Sequence, residues 1–209
     1  MTDGALFPIT IPGVMVYGVV LAAAFYLSIA ALTRRWPRLE AHSLSYAVVM
    51  FMLFGAAGEE VVNKAWNAVF GSPLWQYRLY PAQDGDISYL FFQVWGLFGF
   101  YSYLRDRAFP AFGRSGTAWS ALVFGIEAIV LELAVNVPFH ALFGDYIFYY
   151  LPTNLGPLSH FSCLQVVPFY MAIAFASRRL IAVQEAAGYR HLKCTLGFYL
   201  MVMVAYVWL

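Results

Sequence analysis

Glu59 and Glu60 sit side by side in an apolar stretch, residues 44–70, and Asn63 and Lys64 follow one helical turn later. Carboxyl groups at membrane depth are costly and face a protein interior or a wet cavity, which makes this cluster a candidate site. At helical spacing Glu60 and Lys64 form one i, i+4 couple, and Glu59 and Asn63 form another. The two carboxyls point about 100° apart and need not share a proton. Unequal surroundings would let one give a proton while the other takes one, the division of labour in general acid–base catalysis. The architectural alternative is that Glu60 and Lys64 neutralise each other while Glu59 bonds a neighbouring helix.

A second polar series lies in residues 118–140. Glu132, Asn136 and His140 recur at i, i+4 and i+8 and share a slowly drifting face, whereas Glu127 lies on another face. Together Glu59, Glu60 and Glu132 are the expected proton-transfer groups. Asn63, Lys64, Glu127, Asn136 and His140 are expected to tune them and contact substrate. His140 and His160 could join the glutamates as ligands of zinc or iron, but hydrogen-bonded histidines at a membrane interface are the simpler reading of a chain with four histidines. No GxSxG, Walker A or CxxC motif is present, and the chemistry read here calls for no cofactor and no metal.

The elements that must position these groups are membrane helices. Of 209 residues, 62% are hydrophobic and 11% charged, with a mean hydropathy of +0.69, against roughly 25% charged in a soluble domain. The expected class is all-α: a polytopic membrane helical bundle in one domain, residues 1–209. Six transmembrane helices are predicted at residues 13–32, 44–70, 88–104, 118–140, 158–176 and 191–209, with a kink before Pro138. No internal repeat, low-complexity tract or lipidation motif is apparent. The N-terminus lacks the basic region of a cleavable signal, so the first apolar run is expected to stay in the membrane. Cys163 and Cys194 are expected near opposite faces and carry no redox signal.

Ten basic residues, Arg34, Arg35, Arg38, Arg105, Arg107, Arg114, Arg178, Arg179, Arg190 and Lys193, fall on one side of this topology. Arg78 stands alone on the other, so both termini are expected outside the cytoplasm, and Arg178-Arg179 reads as a stop-transfer anchor. The near-neutral net charge of +1 gives no sign of a nucleic-acid partner. Two aromatic connections, residues 71–86 and 144–157, carry Trp75, Tyr77, Tyr80, Tyr146, Tyr149 and Tyr150. They are read as interfacial caps that roof an outward-opening pocket, with Trp75, Tyr77, Trp95 and Tyr146 as substrate contacts. Gly55, Gly58, Gly96 and Gly99 are expected to allow close helix packing.

Three resemblances add to this reading. The span 59–170 resembles the family described as type IV ABC-transporter membrane proteins, which includes transmembrane protein 229. The likeness rests on the helix 2 glutamate, Gly85-Asp86-Ile87-Ser88 with Trp95-Gly96, the acidic residue of helix 4, Gly144-Asp145-Tyr146, Asn154-Leu155-Gly156 and Pro168; the tryptophan before that family's Asp-Tyr pair is absent. It implies a membrane topology more than an activity. Glu60 with Trp75-Gln76-Tyr77 and Gly85-Asp86-Ile87-Ser88-Tyr89 is similar to the pattern of emopamil-binding sterol isomerases, which implies carboxylate-mediated proton movement on a lipid double bond. Glu59-Glu60 with Lys64 resembles the EExxxR signature of glutamate-dependent CAAX-type intramembrane proteases, with lysine in place of arginine and no FxxxH.

The expected function is that of a cell-membrane enzyme, most simply in a bacterial inner membrane, that isomerises or cyclises an isoprenoid-like or other lipid. The alternative is a non-catalytic membrane subunit, or a proton-coupled permease component working with other membrane subunits.

Overall fold

The computed structural model describes residues 5–109, 116–151, 158, 160–189, 197 and 201. Among them are five α-helices: α1 (Ile11–Thr33), α2 (Ala41–Phe70), α3 (Phe91–Ala108), α4 (Thr117–Phe143) and α5 (Val167–Ala186). Four segments, Ile11–Thr33, Ala41–Phe70, Thr117–Phe143 and Leu164–Ala186, are long and apolar enough to cross a membrane. Their outward faces carry exposed Val16, Val19, Val61, Val69, Ile126 and Val130, which suit contact with lipid tails. At 30 residues α2 spans about 45 Å, longer than a hydrocarbon core of about 30 Å. The expected third span corresponds to α3, which is not among these four segments, and the sixth helix expected over 191–209 lies outside the described residues apart from positions 197 and 201. Six spans and the sidedness of the termini therefore remain part of the sequence reading.

Local chemistry sets the helix ends. Thr10 accepts a hydrogen bond from the Gly13 N–H at the start of α1. Gly71 and Gly144 close α2 and α4 with the same left-handed geometry, φ 74° and ψ 9°. Pro138 lies inside α4, which runs on past it to Phe143. The fifth helix starts later and ends later than expected, so Arg178 and Arg179 lie within α5 rather than beyond its end.

The chain departs from an all-α fold at one end of the bundle. Strand β1 (Trp75–Tyr77) pairs antiparallel with β4 (Phe148–Tyr150), while β2 (Pro81–Ala82) pairs with β3 (Ile87–Ser88). The two aromatic connections are thus not both loose interfacial caps. Trp75, Tyr77, Phe148 and Tyr150 turn into the core, each buried to 4% exposure or less. The physical reason is that pairing across the connections satisfies their backbone, which lets large rings leave the interface.

A second departure is an internal repeat. At a constant offset of 73 residues, Glu59, Asn63, Phe70, Gly71 and Tyr77 are matched by Glu132, Asn136, Phe143, Gly144 and Tyr150, and Phe51 by Phe124. The register of β1 on β4, Trp75 with Tyr150, Gln76 with Tyr149 and Tyr77 with Phe148, maps onto itself when the halves are exchanged. Such a register places an approximate two-fold axis at the Gln76–Tyr149 pair. Phe51 and Phe124, both fully buried, meet ring to ring at 5.1 Å on the same axis. The two units are α2–β1–α3 and α4–β4–α5, with α1 packed against α3 outside the repeat.

The helix interfaces use small residues as expected. A Cβ on Gly99 would stand 2.8 Å from the Val48 backbone, one on Gly55 would overlap the Trp95 indole, and one on Gly58 would overlap the Phe169 ring. Helices α2 and α5 pack closely, whereas α3 and α4, their counterparts, meet lightly and are bridged by Arg105. Arg105 is 1% exposed, binds Glu127 at 2.5 Å and Ser120 at 2.9 Å, and lies over the Phe124 ring.

Candidate functional site

Each half builds the same scaffold from an i, i+4 Glu–Asn pair. Asn63 accepts from the Leu74 N–H at 2.7 Å and the Trp75 N–H at 3.3 Å, and donates to the Trp75 carbonyl at 3.0 Å. Asn136 accepts from the Ile147 N–H at 3.0 Å and donates to the Phe148 carbonyl at 2.7 Å. Both amides are fully buried and act as a strand edge for the chain that has just left the helix. That anchoring swings β1 and β4 back over their own helices. Tyr77 then donates to Glu59 and Tyr150 donates to Glu132, in each case across 18 residues.

The two glutamates share one cavity, lined also by Trp75, Val94, Phe148, Val166, Phe169 and Tyr170. It leaves about 10 Å³ for the centre of a water molecule, room for about one. The site is a narrow chamber, with Trp75 and Tyr77 of β1 and Phe148 and Tyr150 of β4 in its wall.

The surroundings of the carboxyls differ. Glu132, 1% exposed, receives three hydroxyls: Tyr150 and Tyr170 on Oε1, the latter at 2.6 Å, and Ser162 on Oε2. Glu59, 5% exposed, receives Tyr77 on Oε1, while its Oε2 is buried without a protein hydrogen-bond partner. The Trp95 indole nitrogen lies beside this carboxyl without closing a hydrogen bond. Burial, reinforced by the nearby Glu132, holds the Tyr150 phenol well above its ordinary range, so it serves as a donor. Burial likewise pushes the Cys163 thiol up to about 12, which makes it a poor nucleophile.

Several expected site residues lie elsewhere. Glu60 and Lys64 do pair with each other, but on the outer surface of α2, where Lys64 is 59% exposed. The reason is the 100° step between adjacent helical residues, which turns Glu60 away when Glu59 faces inward. Glu127 belongs to the Arg105 bridge at the opposite end of the bundle. His140 stacks on Tyr146 at 4.4 Å, and His160 bonds Tyr149 and the Tyr150 carbonyl, both at the rim. Tyr77 bonds Glu59, Trp95 lies beside it, and Trp75 lines the same cavity. Sequence reasoning missed Ser162, Phe169 and Tyr170; the 73-residue offset would have pointed to the second half-site as a unit. Comparison with protein-family models, curated proteins and solved structures finds no match to this chain.

Proposed function

We propose that the chain is a membrane enzyme that moves protons on an apolar, isoprenoid-like lipid, isomerising or cyclising it between Glu59 and Glu132. The observation that carries this reading is the convergence of two buried carboxyls, from equivalent places in two repeats, on one aromatic-lined cavity. Aromatic faces suit a carbocation that forms when a double bond is protonated. The likeness to emopamil-binding isomerases supports the same chemistry through Trp75 and Tyr77, although the carboxyl that Tyr77 bonds is Glu59 rather than Glu60. Entry for a lipid runs between α2 and α5, where half-buried Phe169 rests on Gly58 and would swing aside to admit the reacting bond. The arginine-bearing end of the bundle faces the cytoplasm in this proposal, in a bacterial inner membrane.

One observation favours a second reading, a proton-coupled permease. A cavity of about 280 Å³ for water centres, with charged groups on a partly apolar wall, opens at the opposite end, where Ser43, Ser102, Asp106, Arg107, Arg178 and Glu185 line it. Mass spectrometry of lipids copurifying with wild type, Glu59→Gln and Glu132→Gln separates the two. Accumulation of one defined precursor in the variants supports the enzyme, whereas bulk lipid throughout with impaired proton uptake in vesicles supports the permease.

A further inference from the structure

The two glutamates are not interchangeable, and their contacts assign the roles. We infer that Glu59 is the proton donor and Glu132 the proton acceptor, with Tyr170 and Ser162 as positioning residues that hold Glu132 in its charged form. This rests on the acid–base reading above and names its direction. Hydroxyls that donate to a carboxylate favour the charged state, and Glu132 has three of them spread over both oxygens. Glu59 has one hydroxyl on Oε1, which leaves Oε2 free to carry a proton into the cavity. The groups facing Glu59 are Tyr77 from β1, Trp95 from α3, Glu132 from α4 and Tyr170 from α5. Those facing Glu132 are Tyr150 from β4, Ser162, Cys163 and Tyr170. No cation is among them in the described residues, so two charged carboxylates would repel across a narrow apolar-walled cavity, and one proton between them relieves this.

In the reaction, the π electrons of the substrate double bond form a C–H bond with the Glu59 proton, leaving a carbocation and a Glu59 carboxylate. Glu132 then removes a proton from a neighbouring carbon, and that C–H pair becomes the new double bond. Return of the proton from Glu132 to Glu59 closes the cycle, with no net change in the protein.

Infrared spectroscopy of the full-length protein in nanodiscs at neutral pH tests the assignment without any substrate. A protonated-carboxyl C=O band that disappears in Glu59→Gln and persists in Glu132→Gln is the expected result. Tyr170→Phe, with or without Ser162→Ala, should add intensity to that band by letting Glu132 take up a proton. Loss of the band in Glu132→Gln with survival in Glu59→Gln overturns the assignment, as does absence of any such band in wild type. Should the band behave as expected while no lipid precursor accumulates in either variant, the protonation assignment survives and the lipid-enzyme reading fails.

Discussion

The two half-sites share a frame and differ in what surrounds the carboxyl. Asparagine, glycine cap, strand and tyrosine occur in the same order and at the same spacing in both halves. The return helices break the likeness, since near its start α5 presents Tyr170, which bonds Glu132, whereas α3 presents Trp95, which closes no bond to Glu59. Where the backbone must be satisfied, one solution serves twice. Around the carboxyls themselves, the halves diverge.

The largest effect that could break this comparison is on turnover. Two equivalent sites would each contribute half the rate, so losing one would cost about twofold. An acid and a base acting in sequence make each essential, and Glu59→Gln or Glu132→Gln is expected to slow lipid conversion by about 10²–10⁴-fold, read from single-turnover product formation. Next come the two asparagines. Asn63→Ala strips partners from Leu74, Trp75 and Asp86 and should cost about 3 kcal/mol or more, against about 2 kcal/mol for Asn136→Ala, compared by thermal unfolding in detergent. Equal losses would mean that the two added contacts, to Asp86 at 2.6 Å and from the Trp75 N–H at 3.3 Å, contribute nothing.

A smaller contrast lies at Gly55 and its counterpart Ala128. Gly55→Ala forces a methyl into the Trp95 indole and should destabilise by about 1–3 kcal/mol. Ala128→Gly should cost about 1 kcal/mol through helix propensity. The smallest effect is expected outside the site. The double variant Glu60→Gln with Lys64→Gln removes an outward-facing pair and should shift stability by about 1 kcal/mol or less, leaving the carboxyl infrared band unchanged.

Much of the fold was legible because apolar length reports a helix long enough to cross a membrane, as α1, α2 and α4 illustrate. The site was legible only in part. That one of the adjacent carboxyls Glu59 and Glu60 faces a cavity follows from cost, but which one depends on the neighbours that surround the helix. Strands of three residues carry no measurable period, and β1 finds its partner 73 residues away, so Tyr150 reads as an ordinary interface aromatic, and Trp75 as a contact from a loop cap, until the pairing is seen. The repeat itself is written in a few scattered positions against an apolar background where chance matches are common. Tyr170 and Ser162 gave no local signal, since a hydroxyl on an apolar segment is legible only through the carboxyl it meets.

The self-matching register of β1 on β4 carries a consequence for how unequal partners can arise. Two separate copies of one hairpin, joined by the same strand pair, would be bound to present identical residues on both sides of the axis. Any change around one carboxyl would be repeated around the other. Covalent linkage lifts that constraint, because a tandem chain can place tyrosine and serine around one carboxyl and tryptophan beside the other while the seam between them stays as it was. The single polypeptide is what allows one chamber to hold two different acids.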